Sequence, residues 1–317
     1  MRARGRRAAA GTVALLLTAA ACSSSPPPRA GPTASSAVST SSAVSSSAAT
    51  SSAVSSSAAT RKSSSAAPAS ARRQAPRATA SPSTRTVPSS PATVPSNPAS
   101  VRGRTIALNP GHNGGNAANS ATINRPVPSG FGRTRACDTT GTTTNAGYPE
   151  HAFNWDVTVR VKALLQARGV NVVLTRSSDT GVGPCIDERA QIGNQPGAAA
   201  VVSIHADGAP ANGHGFHICE DSRQPAGPAV AARSHSLTVA VHDALLNGSG
   251  LTTSTYLGNF GYFPRDDLAG LNLATVPATF IELGNMRNAA DAALQTSPAG
   301  RTRIATAIAA GIFAWLG

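Results

Sequence analysis

Apolar residues fall into two regimes along the 317-residue chain. Before about residue 104, the run Ala8–Ala21 is the one apolar stretch, and nothing after it repeats at a spacing that would build a buried face. From Thr105 onward the pattern turns periodic. Thr105–Leu108 is a short apolar run ending in Asn-Pro-Gly-His, the signature of a buried strand. Within Glu150–Arg168, Phe153, Val157, Val161, Leu164 and Leu165 recur at helical spacing, and Gly169 closes the segment. Val170–Leu174 reads as a second strand, Cys185–Gly193 as a short helix after Pro184, and Ala199–Ile204 as a third strand running into His205. Gly215–Cys219 is a fourth strand, Ala229–Leu246 a long helix, Ala278–Leu283 a further strand and Ile304–Leu316 a closing amphipathic helix. Strands alternating with helices predict one α/β domain over 104–317, a mostly parallel twisted sheet flanked by helices. Such sheets bind ligands beyond the carboxyl ends of their strands, which would gather His112, His205 and Glu282 on one edge.

The first third carries a different message. Residues 1–104 hold thirteen Lys or Arg and no acid, whereas residues 105–317 hold fourteen bases and fourteen acids. The formal +13 therefore belongs wholly to the leading segment. A basic nucleic-acid-binding domain would carry its charge on a folded face, so no nucleic-acid partner is expected. Residues 1–21 read as a signal peptide: a basic start, MRARGRR, then an apolar stretch too short to span a bilayer. The small residues before Cys22 resemble a lipoprotein cleavage box, which would make Cys22 the lipidated terminus and place the protein on the outer face of the cell membrane. Ala19 departs from that box, which usually has a branched apolar residue there. Ordinary cleavage, leaving the protein in the periplasm or cell wall, is the alternative. Residues 22–103 are rich in Ser, Ala and Pro, and SSAVSSSAAT occurs at 41–50 and again at 51–60. With nothing to bury, this is expected to be a disordered basic tether.

Seven histidines are present. His235 and His242 lie seven apart on a predicted helix and are expected on its surface. His214 and His217, three apart, would point to opposite faces of a strand. A hydrolytic zinc site takes three ligands from His and carboxylates and leaves a fourth position for water. No H-E-x-x-H pair is present to mark one locally, so spacing alone does not select the ligands.

Longer motifs do. Asn109-Pro-Gly-His-Asn-Gly-Gly115, Tyr148-Pro-Glu-His-Ala-Phe-Asn154, Val202-Ser-Ile-His-Ala-Asp207 and Pro277-Ala-Thr-Phe-Ile-Glu-Leu-Gly-Asn285 occur in that order. Together with Gly183-Pro-Cys-Ile-Asp-Glu-Arg189 and Asp267-Leu-Ala-Gly-Leu-Asn-Leu273, they resemble the zinc-dependent N-acetylmuramoyl-L-alanine amidases of the Amidase_3 family, particularly the actinobacterial cell-wall amidases. The resemblance runs over 104–317. It implies one Zn2+ per chain held by His112, Glu150 and His205, with Glu282 the catalytic carboxylate. The implied reaction cleaves the amide between the lactyl group of N-acetylmuramic acid and L-alanine of the stem peptide, in peptidoglycan or muropeptides. Asn109 departs from the family, where Asp more often precedes Pro-Gly-His, and would act behind the ligands. With Cys22 lipidated, Cys137, Cys185 and Cys219 remain in an oxidising setting, so one thiol is left over. Likeness to the actinobacterial relatives implies a Cys137–Cys185 disulfide. Arg265, in a polar loop Phe263–Leu268, is a weaker candidate for substrate binding. The expected assembly is a monomer. Two other readings remain: a zinc peptidase acting within the stem peptide, and a non-catalytic wall-binding or regulatory module.

Overall fold

The computed structural model describes residues 98–317. The expected signal peptide at 1–21, the expected lipidation at Cys22 and most of the expected tether at 22–103 lie outside the described residues. The described chain starts with a short helix, α1 (Pro98–Val101), whose Val101 is buried in the main core. Gly103 N then donates to Gly169 O, so packed structure reaches back past the expected boundary at residue 104.

Six strands form the central sheet. They are β1 (Thr105–Pro110), β4 (Asn171–Leu174), β5 (Ala198–Asp207), β6 (His217–Asp221), β7 (Tyr262–Arg265) and β8 (Ala278–Asn285), in the order β4-β1-β5-β8-β6-β7. Strands β4, β1, β5 and β8 run parallel, whereas β6 pairs antiparallel with β8 and parallel with β7. The sheet is thus mostly parallel, with a reversed two-strand edge. A separate antiparallel hairpin, β2 (Pro126–Gly130) with β3 (Arg133–Ala136), follows α2 (Ser120–Ile123).

Alternation along the strands sorts residues between two faces. Ile106, Leu108, Ala200, Val202, Ile204, Ile218, Ile281 and Leu283 enter the larger core beneath α3 (Glu150–Ala167), α5 (Pro228–Gly248) and α8 (Pro298–Leu316). Their neighbours Ala107, Val201, Cys219 and Phe280 face a smaller cluster closed by α6 (Ala269–Asn272). The hairpin and α4 (Ile186–Gly193) also pack on this second side. The alternation carries His205, Glu282 and His217 to the second face as well, because each is one residue out of phase with the main core. The last helix before α8 is α7 (Ala289–Thr296).

The 113–147 segment, for which the sequence pattern predicts no element, contains α2 and the hairpin, whose alternation is too short and too polar to signal strands. Two expectations need correction. Phe263–Leu268 is not simply a loop, since Tyr262–Arg265 form edge strand β7 against β6. His235 is exposed as expected, but His242 is buried, stacked on Tyr262 and bonded to Phe260 O at 2.9 Å.

Candidate metal centre and active site

Strand β1 ends at Pro110, and two residues later His112 adopts a left-handed backbone, φ 57°. Few non-glycine residues hold this conformation, and here it turns the imidazole back over the sheet edge. Gly111 makes the turn possible, because a Cβ there would sit 2.0 Å from the His205 ring. His112 Nδ1 lies 3.1 Å from both Asp138 Oδ1 and Thr139 O. As the donor to those oxygens it leaves Nε2 as the atom that could face a metal, 3.3 Å from Glu150 Oε1.

Glu150 is the first residue of α3, where the helix dipole favours a carboxylate. Its Oε2 accepts from Thr142 N at 2.9 Å, and its Oε1 accepts from Asn154 Nδ2 at 3.1 Å and Ala206 N at 3.2 Å. His205 projects from β5 with Nδ1 3.0 Å from the same Oε1, its ring stacked on Phe280 at 4.2 Å. The ligand atoms of His112, Glu150 and His205 all lie within 4.8 Å of one another. Burial would raise the Glu150 carboxyl, but His112 and His205 hold it well below its ordinary value. Burial likewise lowers His112, yet Glu150 and Asp138 outweigh it and lift the imidazole to about 10. The anionic carboxylate thus favours positive charge beside it. Two imidazoles and one carboxylate, buried and braced from behind, are a donor set that suits zinc.

Glu282, next to His205 in the β5–β8 register, lines the same cleft of about 310 Å³ as His112 and His205. Its Oε2 is buried without a hydrogen-bond partner. Burial, then the Glu150 and Asp207 carboxylates, push its pKa well above the ordinary range. The two carboxyls of the site are therefore driven apart, Glu150 towards ionisation and Glu282 towards protonation. A larger cavity of about 400 Å³, between Glu220–Asp221 and the start of α5, contains none of these groups.

Supporting residues absent from the sequence reading surround the ligands. Arg189 on α4 donates to Pro110 O at 2.6 Å and His112 O at 2.9 Å, and lies 3.3 Å from Asp138 Oδ2. It clamps both the backbone and the carboxylate that orient His112. Burial opposes ionisation of Asp138, but His112 and Arg189 keep its pKa low. Only the position of Arg189 within Gly183–Arg189 hinted at this role; the partners through which it braces His112 are 50 or more residues away. Asn109 touches no ligand. Its side chain bridges Ser203 Oγ and Thr175 Oγ1, at 3.0 and 2.7 Å, with Arg189 at 3.3 Å. Cys137 and Cys185 are joined with Cα atoms 4.5 Å apart, and Cys219 is free and buried. Arg265 lines the cleft, but its guanidinium grips Asp267 through two bonds of 2.7 Å.

Fold and site together define a hydrolase whose chemistry centres on a His-Glu-His set of metal-ligand type. The family model for N-acetylmuramoyl-L-alanine amidase, Amidase_3, matches residues 106–314. An N-acetylmuramoyl-L-alanine amidase of Mycobacterium tuberculosis is 44% identical over 216 residues, covering 68% of this chain and 88% of the relative. The crystal structure of Ami1 from Mycobacterium smegmatis, an N-acetylmuramyl-L-alanine amidase, is 46% identical. It superposes with a TM-score of 0.65 and covers 68% of this chain and 98% of that one. Ami1 from Mycobacterium abscessus matches equally, at 46% identity and TM-score 0.65, over 68% of this chain and all of the other. The chain belongs to the Amidase_3 family of N-acetylmuramoyl-L-alanine amidases.

Proposed function

We propose that this amidase uses zinc to cut the bond between the lactyl carbonyl of N-acetylmuramic acid and the nitrogen of L-alanine. The observation that carries the reading is the buried convergence of His112, Glu150 and His205 within 4.8 Å, with the unpaired carboxyl of Glu282 in the same cleft. His112, through Nε2, Glu150, through Oε1, and His205, through Nδ1, would hold the metal. Bound there, zinc supplies Lewis acidity, polarising the carbonyl and lowering the pKa of a water to about 7.

Glu282 does the proton work. A cation among the ligands favours its ionised form, offsetting the burial that raises its pKa. As carboxylate it removes a proton from the attacking water while the new C–O bond forms. As carboxylic acid it returns that proton to the alanine nitrogen as the C–N bond breaks, so the amine leaves neutral. Asp138 and Arg189 keep His112 aligned throughout. Arg265, neutralised by Asp267, is the better suited to shaping the cleft wall than to capturing a substrate carboxylate.

The reading extends to location. The charged start, the apolar run and Cys22 support export with lipid anchorage, a basic tether leading to a catalytic domain over 104–317 that acts as a monomer. The test of the chemistry is mass spectrometry of products from a soluble muropeptide. The wild type should release intact stem peptide and stop when a chelator is added. Glu282→Gln should bind one zinc per chain and release none. Products cut inside the stem peptide would replace this reading with a peptidase.

A further inference from the structure

His217 opens β6 directly opposite Glu282 in the antiparallel β6–β8 register. The two side chains therefore leave the same face of the sheet, with Cβ atoms about 5 Å apart. His217 is 1% exposed and lies edge-on to Tyr256 and Phe263, with ring centroids at 5.9 and 5.7 Å. Its Nδ1, Oε2 of Glu282 and the hydroxyl of Tyr256 are all buried without hydrogen-bond partners. Nearly all buried polar atoms in folded proteins are paired, and an orphan destabilises the fold. Leucine would fill the place of His217 without that penalty. Burial, reinforced by Arg265 and opposed by Asp207, pushes the imidazole down to about 4, so it is neutral and carries one N–H near pH 7.

We propose that His217 is a positioning residue for Glu282: His217 Nδ1 and Glu282 Oε2, unpaired in this structure, pair when Glu282 is ionised, Nδ1–H then donating to Oε2 so that the other carboxylate oxygen faces the cleft. The proposal rests on Glu282 being the catalytic carboxylate. When Glu282 is ionised, its inner oxygen needs a donor in a place walled largely by rings. The Cβ spacing lets a glutamate carboxylate reach an imidazole Nδ1, and Tyr256 and Phe263 restrict the ring that offers it. A neutral donor suits the task, because it holds the carboxylate without becoming a competing acid at neutral pH.

The test compares His217→Leu, His217→Asn and His217→Gln with wild type on a soluble muropeptide, with zinc content and Tm measured for each. Asparagine places an amide nitrogen near the Nδ1 position; glutamine reaches the Nε2 position instead. His217→Leu should keep its zinc and a KM within about twofold, but lose about tenfold or more in kcat, as when a group aligning a proton-transfer residue is removed. His217→Asn should recover most of that loss and His217→Gln little of it. Wild-type kcat in His217→Leu with an unchanged or higher Tm would make His217 a packing residue and overturn the proposal. Equal losses in the Asn and Gln variants would overturn it too, and that comparison stands even if the leucine variant does not fold. Turnover by Glu282→Gln would instead remove the catalytic reading on which the proposal depends.

Discussion

Individual residues of this site combine local strain with distant support. His112 holds a left-handed backbone that is costly for any residue with a Cβ, and it is kept there by hydrogen bonds to its ring and its carbonyl. Gly111 is needed for a different reason: the His205 ring occupies the space a side chain would take. His217 shows how one buried side chain couples to pH. Its pKa falls from 6.5 in the unfolded chain to about 4 in the fold, so the unfolded state binds more protons between those values. Stability from this residue is complete above pH 6.5 and is lost as pH falls towards 4. The loss should reach roughly 3 kcal/mol, at about 1.4 kcal/mol per pH unit. Urea unfolding at neutral and mildly acid pH should show this slope in the wild type and a shallower one in His217→Leu. Equal slopes would mean that His217 binds its proton in the fold as readily as in the unfolded chain.

At the scale of elements, the disulfide reinforces a junction that Ile186 N, donating to Cys137 O, and the Arg189–Asp138 pair already make. Cys137 precedes Asp138, the partner of His112, and Cys185 precedes α4, which carries Arg189 one turn later. Removing the bridge as Cys137→Ala with Cys185→Ala frees a span of 48 residues. The chain-entropy argument puts the lost stability at about 4 kcal/mol. The same change slackens the Asp138–Arg189 clamp, so zinc affinity should fall along with the urea midpoint. A double variant that loses stability but retains wild-type zinc affinity would separate the bridge from the metal centre. Among the elements, the long helices and the parallel strands were legible because their apolar positions repeat over many residues. Hairpin β2–β3 and strand β7 were not, since Arg133, Arg135 and Arg265 make them read as polar loops. Arg265 pairs with Asp267 two residues on, whereas Arg133 and Arg135 are satisfied across the fold, by Asp266 and Asp267. No local pattern announces such pairs.

For the whole molecule, charge and chemistry reside in different parts of the chain. Residues 105–317 are formally neutral, and the entire +13 lies before them. Added salt should therefore weaken attachment of the full chain to anionic vesicles or wall polymers while leaving turnover of a small soluble muropeptide nearly unchanged. Parallel falls in both would show that the catalytic domain itself relies on a long-range positive field. By itself the sequence determined the α/β class, the ordered motifs and the charge division, because periodicity, residue identity and formal charge are properties of a linear string. It also supplied every member of the His112, Glu150 and His205 set through family likeness. Only the tertiary structure decided what stands around them. Asp138 and Arg189 brace His112, Asn109 braces Arg189, and His217 lies across from Glu282, because strand register and helix packing bring together residues tens of positions apart. Burial is likewise a property of the folded chain, and it is burial that drives Glu150 and Glu282 towards opposite protonation states.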